Sequence, residues 1–287
     1  MEEAVDRALL ARRDTRMREA AAALSPPAFP TAADLPPVRF LTGERFAHQT
    51  AFCARSLCIT AGFVPTIQFF DDGSLLPEQA ERLGNLFPGS SIIPATESFA
   101  ALERHLPASR FPSLRFAREH SPLMRKLLDM RAGRAGPSLY LDSDMLFFAP
   151  PSELIAWLRS PHGELFMNET GPGAYVDAPE TLARELGRNL PPGVNTGILA
   201  LDDSDLDWAA LEHTAASLGK NRLVHKWAEQ TLFAWFFTRP SAHALDPSAY
   251  RVCQSRTALT GPLPTMRHYV YKSKMPYLAG EWRHMNP

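Results

Sequence analysis

The chain has 287 residues, with 30 Lys and Arg against 31 Asp and Glu and a formal net charge of −1. That balance sets up no global field for a nucleic acid or an acidic membrane; no apolar run reaches the roughly 18 residues of a membrane-crossing helix, and the acidic start Met1-Glu2-Glu3 is not a secretory signal. The length and a hydrophobic share of 45% suit one large α/β domain or two small ones, and three cysteines without CxxC spacing (Cys53, Cys58 and Cys253) read as buried free thiols in a reducing compartment.

Residues 1–24 are charged and Ala-rich, with a loose apolar stripe of Val5, Leu9, Met17 and Leu24. The stripe predicts a helix docked on the rest of the chain, a partner or a membrane surface being the alternative seat. A cytoplasmic location follows as an expectation, with peripheral membrane contact left open. Residues 25–37, SPPAFPTAADLPP, read as a linker, because proline forbids regular ladders there. Residues 38–287 are the expected domain. It begins with a strand at 38–42 ending at Gly43, a helix at 44–60 with Phe46, Thr50, Cys53 and Leu57 inward, and a strand at 65–70 running into Asp71-Asp72-Gly73-Ser74. Then come a helix at 77–87 with proline in its first turn, a strand at 91–94, helices at 97–106 and 121–131, and a strand around Leu139. Short apolar strands alternating with helices argue for a mainly parallel sheet with helices on both faces. In such sheets ligands lie outside the carboxyl ends of the strands, which is where Gly43, Asp71-Asp72 and the acids after Leu141 fall. Beyond them the spacing predicts helices at 151–159, 179–188, 206–218 and 227–238 and strands at 164–168, 194–201, 243–245 and 265–271. The Gly- and Pro-rich stretch 171–193 reads as a lid or an acceptor wall. No internal repeat is visible.

The most informative stretch is 138–151, SLYLDSDMLFFAPP. Asp142 and Asp144 interrupt an apolar run, where a carboxylate is costly to bury without a partner. On extended backbone, side chains two residues apart point the same way, so both acids can face one divalent cation, which would keep open positions for phosphate. The plainer alternative is a surface turn capping the next helix.

YLDSDMLFF resembles the DxD motif of the nucleotide-sugar-dependent glycosyltransferases of the GT-A fold, nearest to their glycogenin-like and galactinol-synthase-like branch, and the resemblance extends over residues 38–277. It implies a single Rossmann-like α/β domain. It also implies Mn²⁺ or Mg²⁺ held by Asp142 and Asp144, flanking Ser143, against the diphosphate of a sugar nucleotide, a UDP-sugar above all. Asp71 and Asp72 would accept from the uracil or ribose, or simply make a strand-to-helix turn. Thr42 and Gly43 would lie along the nucleoside. Arg125 would reach the diphosphate or ribose, or else sit on a solvated face. Asn195-Thr196-Gly197 is similar to the family's NTG segment, whose Asn contacts the donor sugar. Glu229-Gln230 would stand beside the reacting carbon; a helix-start glutamate is the bland reading. In MRHYVYKSKMPYL, His268 and Lys274 keep the spacing of the branch's HxxGxxKPW, in which the histidine completes the metal shell and the lysine faces the leaving phosphate. Tyr271 replaces the glycine and Met275 the proline, which leaves Lys272 as a substitute for Lys274.

The resemblance implies a metal-dependent hexosyltransferase moving sugar from a nucleotide diphosphate donor to a hydroxyl acceptor, a glycan, protein or small molecule, with retention. Glu229, Gln230 and Lys274 would be its catalytic residues. An inverting enzyme would instead need Glu169 or Glu229 as base. Two rivals remain: a non-catalytic nucleotide-sugar-binding protein on the same fold, and a haloacid-dehalogenase-type phosphatase, whose late acidic motif Asp202-Asp203 mimics. A sugar-1-phosphate nucleotidyltransferase would need a Gly-rich N-terminal phosphate loop, which the sequence lacks.

Overall fold

The computed structural model describes residues 2–169 and 174–285. In chain order the elements are α1 (Glu2–Ala22), β1 (Thr31–Ala32), β2 (Val38–Thr42), α2 (Ala47–Ala61), β3 (Val64–Pro65), β4 (Ile67–Asp71), α3 (Pro77–Leu86), β5 (Ser91–Ile93), α4 (Ala95–His105) and α5 (Pro112–His120). A 3₁₀ turn (Pro122–Lys126) leads to β6 (Pro137–Leu141), β7 (Met145–Phe147), α6 (Ser152–Arg159), β8 (Glu164–Asn168), α7 (Pro179–Leu186) and β9 (Val194–Asp202). The chain closes with α8 (Trp208–Leu218), α9 (Lys220–Leu223), α10 (Ala228–Phe236), β10 (Ala242–Ala244), β11 (Tyr250–Cys253), β12 (Met266–Tyr269) and α11 (Lys274–Ala279).

Seven strands form the central sheet in the order β10-β8-β9-β6-β2-β4-β5. Only β9 runs against its neighbours β6 and β8; the other pairs are parallel. The expectation of a mainly parallel α/β sheet between helices holds, and the side-chain alternation shows why. Leu139 and Leu141 enter one core with Ile198, Phe69 and α2, whereas Tyr140, Leu199, Leu201 and Phe70 enter the other with Leu211 and Phe233. A strand buried on both faces needs both alternating rows to be apolar, and β6 and β9 supply that. A second sheet joins β11 parallel to β12 and β12 antiparallel to β7, pairing His268 with Met145. It lays the late histidine beside the loop that carries the two acids.

The N-terminal helix lies on this body. Met17, Ala21 and Leu24 are buried, Leu9 is 37% exposed, and Asp14 Oδ1 lies 2.8 Å from His48 Nε2 on α2. The stretch read as a linker contributes β1, which pairs with β3. Residues 121–131, expected as an α-helix, make a 3₁₀ turn followed by irregular turns. Tertiary ion pairs override helix propensity here: Asp129 meets Arg118 at 2.8 Å, and Arg131 meets the buried Asp203 at 2.6 Å. Several elements were not foreseen: β7, β11, α9, α11 and α5. The first amides of α5 donate to Glu212 of α8 at 2.8 and 3.0 Å, a cap supplied from about a hundred residues away. In the Gly- and Pro-rich stretch, residues 171–173 lie outside the described residues, and the described part is stitched to its neighbours: Gln230 Nε2 donates to Ala174 O (2.6 Å) and Val194 N to Tyr175 Oη (3.0 Å).

Candidate active site

The loop between β6 and β7 is held from three sides. Asp142 N donates to Gly197 O on β9 (2.8 Å), and Asp144 O accepts from Tyr269 N at the end of β12 (2.9 Å). Ser143 turns inward to a chain of hydroxyls, Ser143 Oγ to Thr50 Oγ1 and Thr50 Oγ1 to Thr42 Oγ1, each 2.8 Å. With Ser143 anchored below, both carboxylates project to the other side. Asp142 accepts from Tyr140 Oη (2.5 Å) and Lys126 Nζ (2.8 Å). Asp144 meets Lys274 Nζ at 2.8 Å and His268 Nε2 at 3.1 Å, and the same His268 Nε2 lies 3.6 Å from Asp142.

These groups set one another's charge. Burial opposes ionisation of Asp144, but His268 and Lys274 outweigh it and hold the carboxyl well below the usual range. Burial likewise opposes the Lys126 ammonium, yet the Asp142 and Glu229 charges raise its pKa. For His268, burial works against the imidazolium and the Asp144 charge and hydrogen bond work for it; the result is a raised pKa. Gly197 makes room for this ring, since a Cβ there would sit 2.8 Å from His268 Cε1 and Nδ1. The Nδ1 atom has no protein hydrogen-bond partner, and Nε2 is the ring atom that faces the two acids.

Asp142, Asp144 and His268 offer ligand atoms all within 4.8 Å of one another, and among the described residues they are the one such group. Two carboxylate oxygens and an imidazole nitrogen, drawn from two separate strand ends, fit a divalent cation.

A cavity of about 350 Å³ opens beside this cluster, lined by Leu41, Phe46, Asp72, Leu123, Arg125, Lys126, Tyr140, Asp142, Ser143, Asp144 and Lys274, among others. It therefore gathers Asp72, Arg125, Ser143 and Lys274 with the acid pair. Arg125 donates to the Asp72 carbonyl, bridging the two sides of the cavity. Other expected residues stand back from it. Asp71 Oδ1 accepts from Gly73 N (2.7 Å) and Leu75 N (2.9 Å), so it builds its own turn. Thr42 is buried, and its carbonyl accepts from Asp72 N (2.8 Å). Gly43 is required by close approach, because a Cβ would collide with Asp72 and Ser74. Lys272 is exposed and lines no part of the cavity, whereas Lys274 does.

Asn195, Glu229 and Gln230 are buried behind the cluster. Asn195 Oδ1 accepts from Gly197 N (2.9 Å), and its amide donates to Glu169 (2.8 Å), which also accepts from Gln254 (2.7 Å). Glu229 accepts from Thr196 Oγ1 (3.0 Å), and its other oxygen has no protein donor. Burial pushes its pKa up to about 7, against the pull of Lys126 and Thr196. A second hollow of about 570 Å³ is lined by Glu169, Tyr175, Asp177 and Trp227, among others.

Two features go beyond the expectations drawn from the sequence. Lys126, not only its neighbour Arg125, enters the site; adjacency was the only signal, and the 3₁₀ turn decides which side chain faces the acids. Tyr271, which stands where the resembled branch has glycine, has φ 50°, and it is the only non-glycine residue with positive φ among those described. A left-handed conformation costs a non-glycine residue about 1–2 kcal/mol. The mimic of the phosphatase motif falls elsewhere. Pro137 of β6 pairs with Asp202, whereas Leu141 pairs with Ile198, so Asp202-Asp203 lies at the far end of the strand from Asp142. Asp203 is buried there in ion pairs with Arg39 and Arg131, and the two acidic motifs cannot share a cation.

No protein-family profile matches the chain, and no curated protein sequence does. Solved structures do match in fold. The bifunctional glycosyltransferase WbbM, in its apo form, superposes with a TM-score of 0.53 at 16% identity over 88% of this chain, which spans only 50% of WbbM. The galactosyltransferase LgtC, in complex with donor and acceptor sugar analogues, gives 0.52 at 14% identity over 87% of this chain and 99% of its own. Mouse xyloside xylosyltransferase 1, apo, gives 0.51 at 13% identity over 84% and 97%. Together with the sheet order and the acid pair at the strand ends, these likenesses show that the chain has the mixed α/β fold of the GT-A glycosyltransferases.

Proposed function

We propose that the chain is a glycosyltransferase that moves a hexosyl group from a UDP-sugar to a hydroxyl acceptor, with Asp142, Asp144 and His268 holding Mn²⁺. The observation that carries this reading is the convergence of that donor set with two lysines at the carboxyl edge of a GT-A sheet. A cation held there would neutralise the charge that develops on the departing diphosphate. Lys274, at the cavity wall, adds a mobile positive charge on the same side, and Lys126 orients Asp142 through a charge-assisted hydrogen bond. The cavity seats the nucleoside between Phe46, Leu41 and Leu123, with Asp72 and Arg125 as its polar ends; Gly43 keeps the backbone close, and Thr42 and Ser143 hold the floor.

Asn195 and Glu229 lie on the sugar side of the cluster. Glu229 is the buried carboxyl that can offset positive charge at the sugar carbon, and Gln230 shapes the wall through Ala174. Retention of configuration goes with the glycogenin-like resemblance. The hollow lined by Glu169, Tyr175 and Trp227 is the proposed seat of the acceptor. Residues 38–287 form the catalytic unit, with residues 1–24 as a helical extension.

The test is turnover of a panel of sugar nucleotides with Mn²⁺ and with EDTA. UDP-sugar hydrolysis or transfer is expected only with metal, and Asp144→Ala should lower it by about a hundredfold or more. Full turnover in EDTA, or in that variant, overturns the reading.

A further inference from the structure

We propose that Tyr271 is a positioning residue for Lys274: it pins the turn between β12 and α11 to the start of α10. The inference rests on the reading that Lys274 faces the leaving phosphate. His268 and Lys274 are six residues apart in sequence, yet both reach Asp144. The chain must bend between them, and it does so at Tyr271. Glycine would adopt this left-handed conformation freely, whereas tyrosine disfavours it. Neighbouring contacts must therefore hold the turn.

On the inner side, the buried Ser273 donates from Oγ to Cys253 O (2.6 Å) and Val270 O (2.9 Å), which fixes the backbone just past the bend. On the outer side the Tyr271 ring is 61% exposed and meets Lys226. Lys226 Nζ lies 5.6 Å from the ring centroid and donates to Tyr271 Oη at 3.4 Å, while also lying 4.6 Å from the Trp227 ring. Lys226 and Trp227 lead directly into α10, which carries Glu229 and Gln230. One cation between two aromatic rings thus ties the segment bearing His268 and Lys274 to the helix on the sugar side. A glycine could make the same bend but could not hold this tie. The side chain offsets the cost of the backbone conformation by fixing where Lys274 points.

The experiment reads Lys274 directly. In the ligand-free protein, acetylation of each lysine by acetic anhydride is followed by mass spectrometry. In Tyr271→Gly the acetylation rate at Lys274 should rise roughly threefold, the size of an exposed cation–π contact, while Lys220 stays unchanged. The melting temperature should not fall, since glycine takes the turn without strain. Tyr271→Phe, which keeps the ring, should behave as wild type. UDP binding in the presence of Mn²⁺, measured by calorimetry, should weaken by a similar factor in Tyr271→Gly, and Tyr271→Gly should add nothing once Lys274→Ala is in place. An unchanged acetylation rate at Lys274, or additive losses in the double variant, overturns the proposal. A wild-type protein that fails to bind UDP with Mn²⁺ sinks the transferase reading instead; the acetylation rates still decide the role of Tyr271.

Discussion

Glu229 is a carboxylic acid in a place that suits an amide. Its Oε2 accepts from Thr196 and its Oε1 finds no protein donor. Burial lifts its pKa to about 7, Asp142 adds to the lift, and Lys126, Thr196 and Arg131 pull the other way. The folded value lies above the unfolded value of 4.5, so the folded protein binds the extra proton. The stability linked to this group is therefore fully present below 4.5 and is lost as pH rises through 7. The linked free energy is on the order of 3 kcal/mol. Glu229→Gln should remove that slope. In EDTA, urea unfolding at pH 4.5 and pH 8 should show the variant gaining on wild type by about 3 kcal/mol at the higher pH; a constant difference between the two proteins refutes the account. At this scale the sequence was partly legible. Asp142 and Asp144 stood out because carboxylates in an apolar run demand partners, and His268 because its spacing to Lys274 matched a known pattern. The inward turn of Lys126 and the isolation of the Glu229 carboxyl depend on contacts between distant segments, which no local pattern encodes.

Among elements, α1 makes the clearest test of whether a polar-looking helix is held by its few apolar residues. Met17 is fully buried, while Asp14 and Arg18 reach His48 and the carbonyls of Glu44 and Arg45. The His48 and Arg18 contacts overcome burial and lower the Asp14 pKa to about 2. Their contribution is present above the ordinary Asp range and is lost as pH falls towards 2. Exposed ion pairs contribute little, so apolar burial should dominate. Met17→Ala is expected to lower stability by about 2–4 kcal/mol in urea unfolding; a change below about 0.5 kcal/mol would mean that the helix does not depend on Met17 for its seat. Of the central sheet, β2, β4, β6 and β9 could be read from short apolar runs ending in Gly or Asp. The α5 helix could not, because its first turn is completed by Glu212 from α8, and neither could the irregular turns after Lys126, where ion pairs outweigh propensity.

For the molecule as a whole, the donor set links metal binding to global stability. A ligand at a hundred times its Kd stabilises the native state by about 2.7 kcal/mol. Mn²⁺ at that excess should raise the melting temperature by roughly 4–5 °C. Asp144→Ala and His268→Ala should each abolish the shift, and a shift that survives in both would place the cation elsewhere. The order in which the chain supplies its parts has a further consequence. The central sheet takes its last strand at Ala242–Ala244, whereas the histidine of the three-donor cluster arrives only with Met266–Tyr269, on a separate small sheet. During synthesis on the ribosome, every strand of the central sheet is thus made while the metal seat still lacks its third side. A chain cut short between those two points would lose that histidine together with Met266, Tyr269, Tyr277 and Trp282 of the main core, so the grip on the cation and the packing that steadies the scaffold arrive in the same last stretch.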